Sequence, residues 1–252
     1  GGRHKVLGSK ALFIPPQTST IASHLPKALG AAYSVSLARK LKPEHKQLSD
    51  DAIVMCSFGD ASLNHSTSQG AINTAAWTAY QSSSLPLLFV CEDNGIGIST
   101  KTPGGWVEAS MAARPAIKYF RANGLDLVDA YAVAREAADY VRSRRRPAFL
   151  HISCVRLYGH AGADAQTAYL SKAEIEATEA DDPLLYSAQR LIAEGIMTAD
   201  EVLETYNEVA DRVARTAEQV IKRPKLKTAK DVMASLIPPK RTVKPGNVIS
   251  DK

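Results

Sequence analysis

Two short apolar runs lead into Gly59-Asp60-Ala61-Ser62-Leu63-Asn64 and Cys91-Glu92-Asp93-Asn94-Gly95-Ile96. Runs this apolar and this short, without polar alternation, are typical of parallel strands that are buried on both faces. In an open parallel sheet, ligands bind beyond the carboxyl ends of the strands, where Asp60 and Asn94 would both lie. A carboxylate, a carboxamide oxygen and a backbone carbonyl suit a small divalent cation that also holds two phosphate oxygens. The two stretches therefore predict a site for magnesium and a diphosphate cofactor.

Apolar runs and helical spacing alternate along the chain. The predicted strands are 52–58, 86–91, 125–128 and 147–155, and the helices predicted among them are 26–41, 66–80, 108–114 and 129–143. This alternation predicts an α/β fold, with a doubly wound and mostly parallel sheet flanked by helices and a helical C-terminal extension.

The chain divides into four predicted segments. They are an irregular N-terminal segment (1–22), an α/β domain that binds the cofactor (23–170), a helical extension packed on it (171–236) and a linker or tail (237–252). Within the extension, Ser171 and Thr198 each begin a capping box. An apolar stripe over 202–220 is expected to be buried, as such helical stripes usually are.

Composition excludes several classes of protein. The 252 residues are 45% apolar and 23% charged, which are ordinary values for a globular chain. No apolar stretch is long enough to span a bilayer, so no membrane partner is expected. The three cysteines show no metal-ligand spacing and indicate a reducing compartment. Cations gather at 142–146 and 222–230, but aromatic residues are sparse, so we expect a solvated surface or an acidic protein contact and no nucleic acid.

Further motifs resemble the alpha subunit of the decarboxylating component of 2-oxoacid dehydrogenases, the family of the pyruvate and branched-chain enzymes. They occur in the family's order at 23–32, 94–100, 156–160 with Asp164, and 182–184. Gly59-Asp60 and Asn94 resemble the two ends of the family's thiamine-diphosphate signature. The resemblance therefore implies thiamine diphosphate and Mg²⁺ as cofactors.

The chain departs from the family pattern at several points. Ala61 replaces the second glycine of the signature, Asp93 replaces its first asparagine, and a few extra residues fall in 64–68. Tyr158 replaces a family histidine. Ala161 replaces the serine that is phosphorylated in mitochondrial members, so regulation at that serine is not expected.

The resemblance also implies a ligand set. Asp60 would give a carboxylate oxygen to Mg²⁺, Asn94 its amide oxygen and Ile96 its backbone carbonyl, and diphosphate oxygens and water would complete the octahedron. Taken alone, Asp60 would more often cap the following helix. The cofactor-binding residues of its turn would be Gly59, Asp60, Ala61 and Ser62.

Three further residues are implied at the site. His160, on the loop after the third apolar strand, would be catalytic and would bind cofactor phosphate or handle protons, tasks that suit an imidazole. Ile21 would prop the bent cofactor between its two rings, and His24 would make a polar contact with the active site. The role of His65, in the lengthened loop, stays open.

The activity that the resemblance implies is oxidative decarboxylation of a 2-oxoacid, with acyl transfer to a lipoyl-bearing acyltransferase. Two alternatives stay open. One is a transketolase-like enzyme that uses the same cofactor for group transfer. The other is a non-catalytic fragment that binds the cofactor or serves assembly.

The implied partner is a beta-type subunit, or a beta-like half of the same polypeptide, which would supply the glutamate that activates the cofactor. The chain alone is therefore expected to be inactive, and the assembly to be a dimer or heterotetramer. Because the chain opens on Gly1-Gly2-Arg3, we expect it to lack an N-terminal part. We expect a bacterial cytoplasmic location, with the mitochondrial matrix as the alternative.

Overall fold

A computed structural model describes residues 7–9, 11–43 and 48–234. The strands are β1 (Leu7–Ser9), β2 (Ile14–Gln17), β3 (Val54–Gly59), β4 (Leu87–Asp93), β5 (Ile96–Gly97), β6 (Thr100–Lys101), β7 (Lys118–Asn123) and β8 (Ala148–Ser153). The helices are α1 (His24–Leu41), α2 (Ser66–Tyr80), α3 (Trp106–Met111), α4 (Leu127–Arg144), α5 (Lys172–Ala180), α6 (Pro183–Ala193), α7 (Ala199–Ile221) and α8 (Ala229–Met233). Short 3₁₀ turns cover Asp60–Asn64 and Gln166–Ala168.

Four parallel strands form the central sheet, in the order β3-β4-β8-β7. Phe58 lies opposite Cys91, and Cys91 lies opposite His151. The carboxyl ends of all four strands therefore meet at one edge. The predicted α/β fold with a parallel sheet flanked by helices is confirmed.

Helices cover both faces of this sheet. Residues of α1, α2 and α3 share one core with Phe58, Phe89 and Phe149, whose rings contact one another. On the other face, α4 covers Leu88 and Leu150. Because alternate residues of β4 enter opposite cores, this strand has no polar alternation, as the sequence predicts for a strand buried on both faces. For β3 that prediction is wrong, because this strand lies at the edge of the sheet and Met55 and Ser57 on one face are exposed.

The strand predicted at 125–128 is wrong. The fourth strand of the sheet is β7, and 125–128 instead form a turn and the first residues of α4, which Asp126 caps. β7 lies at the edge of the sheet, and its residues alternate between exposed and buried, with Lys118 and Arg121 exposed. Its pattern therefore lacks the continuous apolar run that marks the inner strands.

Contacts divide the chain into two compact units, and the central sheet lies wholly within the unit Thr20–Glu204. In that unit, the predicted capping boxes that begin at Ser171 and Thr198 are both confirmed. The predicted boundaries of the α/β domain and the helical extension stay a prediction. The predicted tail, 237–252, lies outside the described residues.

The other unit contains β1, β2, most of α7, and α8. β1 and β2 pair antiparallel within the segment expected to be irregular. The apolar stripe of α7 is exposed, with Tyr206 at 64% and Val213 at 62% relative exposure, so its predicted burial is wrong. An amphipathic pattern marks an apolar face of a helix, but it does not specify what covers that face.

Arginines near the end of α4 bind the backbone at the amino edge of the sheet. Arg142 and Arg145 donate to the carbonyls of Asp51 and Ala52, at 3.3 and 2.9 Å, and Arg146 donates to a carbonyl of α2. Arg142 and Arg144 are exposed, as expected for a solvated surface, whereas Arg145 and Arg146 are half-buried, so the expectation is wrong for these two. No helix of the described residues is long and apolar enough to cross a membrane.

Candidate active site

The carboxyl edge of the sheet brings the two signature stretches together. β3 ends at Gly59, which lies opposite Glu92 near the end of β4. Asp60 follows at once in a 3₁₀ turn, and Asn94 follows β4. The backbone N–H of Asn94 lies close enough to the carboxylate of Asp60 to lower its pKa, so the two residues lie side by side. This is the juxtaposition that the sequence predicts.

Asp60 is a buried carboxylate, with only 3% relative exposure. It accepts a hydrogen bond from the hydroxyl of Thr102, and the backbone N–H groups of Asn94 and Ala61 lie close enough to lower its pKa. Burial raises the pKa of Asp60, the Thr102 hydrogen bond opposes that rise, and the nearby carboxylate of Asp93 adds to it. A buried carboxylate beside another carboxylate is an environment that a cation would relieve.

Asn94 and Ile96 form the turn that follows β4. The side-chain oxygen of Asn94 accepts the N–H of Ile96 at 3.1 Å, which fixes the amide within its own turn. The turn continues into the β5–β6 hairpin, and the N–H of Thr102 returns to the carbonyl of Gly95 at 2.9 Å. An amide oxygen has two lone pairs, so Asn94 retains one for a further ligand.

The donors at this edge fit a hard divalent cation. One buried carboxylate, one amide oxygen and one backbone carbonyl lie on adjoining turns, and oxygen ligands of this kind suit Mg²⁺. The described residues contain no cluster of three histidine, cysteine or acidic side chains that would hold a metal. The candidate site is of another kind, because two of its three oxygens come from an amide and a backbone carbonyl.

His24 and His65 have structural contacts near this edge. The Nε2 of His24, at the start of α1, lies 2.8 Å from the carbonyl oxygen of Ser57 in β3. His65 caps α2, because its Nδ1 accepts the N–H of Thr67 at 3.2 Å. Ile21, just before α1, is 54% exposed.

The loop of His160 follows β8 and is held by a chain of hydrogen bonds. Asp164 accepts the backbone N–H of His160 and the hydroxyl of Tyr169, both at 2.7 Å. Arg156 donates to the hydroxyl of Tyr169 at 2.8 Å and to the carbonyl of Ile98 at 2.7 Å. The Tyr169 hydrogen bond, the His160 amide and Arg156 lower the pKa of Asp164, which therefore stays ionised.

His160 and Ile21 are exposed. Within the described residues, no hydrogen bond joins the side chain of His160 to Asp60 or Asn94, and the apolar side chain of Ile21 can form none. A cavity of about 320 Å³ lies between the Asn94 turn and this loop. Its polar lining includes Asn94, Lys101, Arg156, Gln166, Glu174 and Thr178.

Comparison with known proteins identifies the family. A family model for the dehydrogenase E1 component matches residues 1–229. The chain belongs to this family. The resemblance to alpha subunits of 2-oxoacid dehydrogenases, found from the sequence, is thereby confirmed.

Curated relatives agree with this family. The chain is 30% identical over 172 residues to the mitochondrial 2-oxoisovalerate dehydrogenase subunit alpha 2 of Arabidopsis thaliana, a match covering 67% of this chain and 33% of that protein. It is 26% identical over 181 residues to the testis-specific pyruvate dehydrogenase E1 component subunit alpha of Rattus norvegicus, covering 69% and 44%. For the Homo sapiens 2-oxoisovalerate dehydrogenase subunit alpha, the values are 24% over 212 residues, covering 82% and 44%. The chain thus spans less than half the length of these relatives.

The structure accounts for one departure of this E1 chain from the family signature. A Cβ placed on Gly97 would lie 2.6 Å from the Cβ of Ala61. The methyl group of Ala61, where the signature has its second glycine, therefore fits because residue 97 has no side chain. β5 can approach the 3₁₀ turn closely because residue 97, in β5, is a glycine.

Sequence reasoning missed one buried group of this E1 chain. His151 is 3% exposed and lies between Asp93 and Tyr119. The signal available was a histidine within the otherwise apolar start of the strand predicted at 147–155. Its partners are 58 and 32 residues away in sequence, so spacing alone does not reveal them.

Proposed function

We propose that this chain is the cofactor-binding part of the alpha subunit of an E1 component that decarboxylates a 2-oxoacid, with thiamine diphosphate and Mg²⁺. The observation that supports this best is the buried Asp60 carboxylate, which lies beside the backbone N–H of Asn94 at the carboxyl edge of a parallel sheet. Membership of the E1 family supports the activity and the cofactor. The relatives' names, 2-oxoisovalerate and pyruvate dehydrogenase, support a 2-oxoacid substrate.

The proposed cation ligands are Asp60, Asn94 and the carbonyl of Ile96. Asp60 accepts the hydroxyl of Thr102, and its burial excludes water from much of the carboxylate. Mg²⁺ at this position would also offset the repulsion between Asp60 and Asp93. Gly59, Ala61 and Ser62, in and beside the 3₁₀ turn, would line the diphosphate.

Bound thiamine diphosphate would supply a carbanion that attacks the 2-oxo carbon and accepts the electrons left by CO₂. The chain's residues would hold and orient it. His160, on the loop fixed by Asp164, would stabilise charge or move a proton at its imidazole. His24 would make a polar contact and Ile21 an apolar one with the cofactor.

The proposed assembly needs partners. A beta-type subunit or beta-like half would supply the activating glutamate, a lipoyl-bearing acyltransferase would accept the acyl group, and the assembly would be a dimer or heterotetramer. A bacterial cytoplasmic location stays the sequence-based prediction, while the relatives described above are named as mitochondrial.

Calorimetry on the complete assembled enzyme tests the ligand assignment. Thiamine diphosphate should bind with Mg²⁺ present and fail to bind in EDTA, and binding should be largely lost in Asp60→Ala and Asn94→Ala. Asp139→Ala is a matched control, because Asp139 is an exposed acid on α4 whose ion-pair partner, Arg135, is also exposed. Unchanged affinity in both site variants would overturn the assignment. Turnover of pyruvate, 2-oxobutyrate and branched 2-oxoacids would then identify the substrate.

A further inference from the structure

Three polar side chains from three strands form a continuous hydrogen-bonded chain behind the cation-binding edge. The Oδ2 of Asp93, at the end of β4, lies 2.8 Å from the Nε2 of His151 in β8. The Nδ1 of His151 lies 2.6 Å from the hydroxyl of Tyr119 in β7. The chain thus crosses three neighbouring strands.

The chemistry of the groups fixes one end of this chain. A carboxylate accepts, so the Nε2 of His151 carries a hydrogen and donates it to Asp93. The Nδ1 of His151 shares the second hydrogen bond with the hydroxyl of Tyr119. Burial raises the pKa of Tyr119 to about 12, so its hydroxyl keeps the proton at neutral pH. Each buried polar atom of His151 has a partner.

Asp93 connects this chain to the turn that carries the proposed cation ligands. Its Oδ1 accepts the N–H of Gly95 at 3.2 Å, while its backbone carbonyl accepts the N–H of Cys154 at 2.8 Å. One carboxylate therefore holds the turn through one oxygen and β8 through the other. Asn94 is the next residue, and Ile96 closes the same turn.

The acid at position 93 makes a donor necessary. The family signature has an asparagine here, and an asparagine side chain brings its own N–H groups. Asp93 has only acceptors, so a partly buried carboxylate would be left without a donor from the sheet if His151 were absent. The side chain of His151 is 4% exposed, which leaves the donor fixed in one place.

We propose that His151, held by Tyr119, is a positioning residue for the cation site, acting through Asp93 on Asn94 and Ile96. This inference rests on the proposed role of Asn94 and Ile96 as ligands. Partners that orient the ligands of a metal commonly change its affinity by about 10- to 100-fold when they are removed.

The test is the binding of Mn²⁺, as a paramagnetic probe for Mg²⁺, to the complete assembled enzyme with thiamine diphosphate. Electron paramagnetic resonance counts the free Mn²⁺. His151→Leu should weaken Mn²⁺ binding about tenfold or more. His151→Gln keeps an N–H near the position of Nε2 and should remain within about threefold of wild type, because it retains the donor to Asp93. Tyr119→Phe should have an intermediate effect.

Two controls separate positioning from general destabilisation. Leu150→Ala removes a buried side chain from the same strand on the opposite face, and it should lower the melting temperature without changing Mn²⁺ binding. In an Asp93→Asn background, His151→Leu should have a clearly smaller effect on Mn²⁺ binding than in wild type, because the residue at 93 then carries its own donor.

The outcomes distinguish this inference from the proposed function. Wild-type Mn²⁺ affinity in His151→Leu would overturn this inference and leave the proposed function standing. So would a loss of affinity from His151→Leu that is as large in the Asp93→Asn background as in wild type, together with an equal loss in Leu150→Ala. If the wild-type enzyme binds neither Mn²⁺ nor thiamine diphosphate, the proposed function fails and the positioning role fails with it. Rescue by His151→Gln supports the donor to Asp93 as the cause.

Discussion

Replacing Thr102 with valine would remove the hydroxyl that donates to the buried carboxylate of Asp60, with little change in side-chain volume. Asp60 would keep its backbone donors but lose its side-chain donor. A hydrogen bond to a charged group contributes about 1.5–3 kcal/mol to stability. We therefore expect the free energy of unfolding of the metal-free variant to be about 2 kcal/mol below that of wild type at neutral pH.

The loss should depend on pH, and its sign follows from the pKa of Asp60. Burial raises that pKa above its ordinary value, and the Thr102 hydrogen bond opposes the rise, so Thr102→Val should move the pKa further upward. A carboxyl group with a raised folded pKa stabilises the fold fully below its unfolded pKa, and this contribution is lost as pH rises through the folded pKa. In the variant, this stabilising contribution continues to be lost up to a higher pH, because the folded pKa of Asp60 is higher than in wild type. The difference from wild type should therefore grow as pH rises through the folded pKa of Asp60, which lies above its ordinary value.

Urea unfolding in EDTA, followed at several pH values, measures this difference. Thr102→Ser is the matched control, because it keeps the hydroxyl and loses only a methyl group. An unchanged dependence on urea concentration would show that the unfolded states are comparable. Equal unfolding free energies for the valine and serine variants at neutral pH would refute the role of the hydroxyl, and a difference independent of pH would refute its link to Asp60.

The remaining predictions concern the turn, the loop and the partner. Gly97→Ala should weaken the binding of thiamine diphosphate with Mg²⁺, because its Cβ would lie 2.6 Å from the Cβ of Ala61, and calorimetry should show recovery when Ala61→Gly is added. In the assembled enzyme, His160→Ala should lower turnover about a hundredfold, more than it weakens cofactor binding. Near-normal turnover would contradict that role. Without a beta-type partner, the purified chain should release no CO₂ from 2-oxoacids, and measurable release would contradict the idea of an incomplete site.

The strands β3 and β4 and the proximity of Asp60 to Asn94 were predictable for one physical reason. β3 and β4 lie next to each other and run parallel, so their carboxyl ends share an edge. Residues that follow two such strands must then lie close together. An apolar run and the polar residue after it are both visible in the sequence, so this part of the site needs no knowledge of distant contacts.

Cross-strand pairing was not predictable in the same way. β7 lies at the edge of the sheet, where one side of the strand is exposed, and its alternating pattern resembles many non-strand segments. His151 contacts Asp93 only because β8 pairs with β4. The periodicity of the sequence does not reveal the order of the strands in the sheet. The turn at 125–128 misled the prediction because its apolar residues cluster locally without entering a strand.

The charges at the carboxyl edge explain why the cofactor should need a cation. Asp93 lies close enough to Asp60 for its charge to raise the pKa of Asp60. A diphosphate alone would bring further negative charge toward two carboxylates, and it would be repelled. A divalent cation held by Asp60 and Asn94, as proposed, would reverse the local charge and offer coordination to the diphosphate oxygens. The hydrogen bond from His151 fixes the position of Asp93. With the proposed ligands, the edge would accept a magnesium–diphosphate pair in preference to either the anion or a neutral ligand.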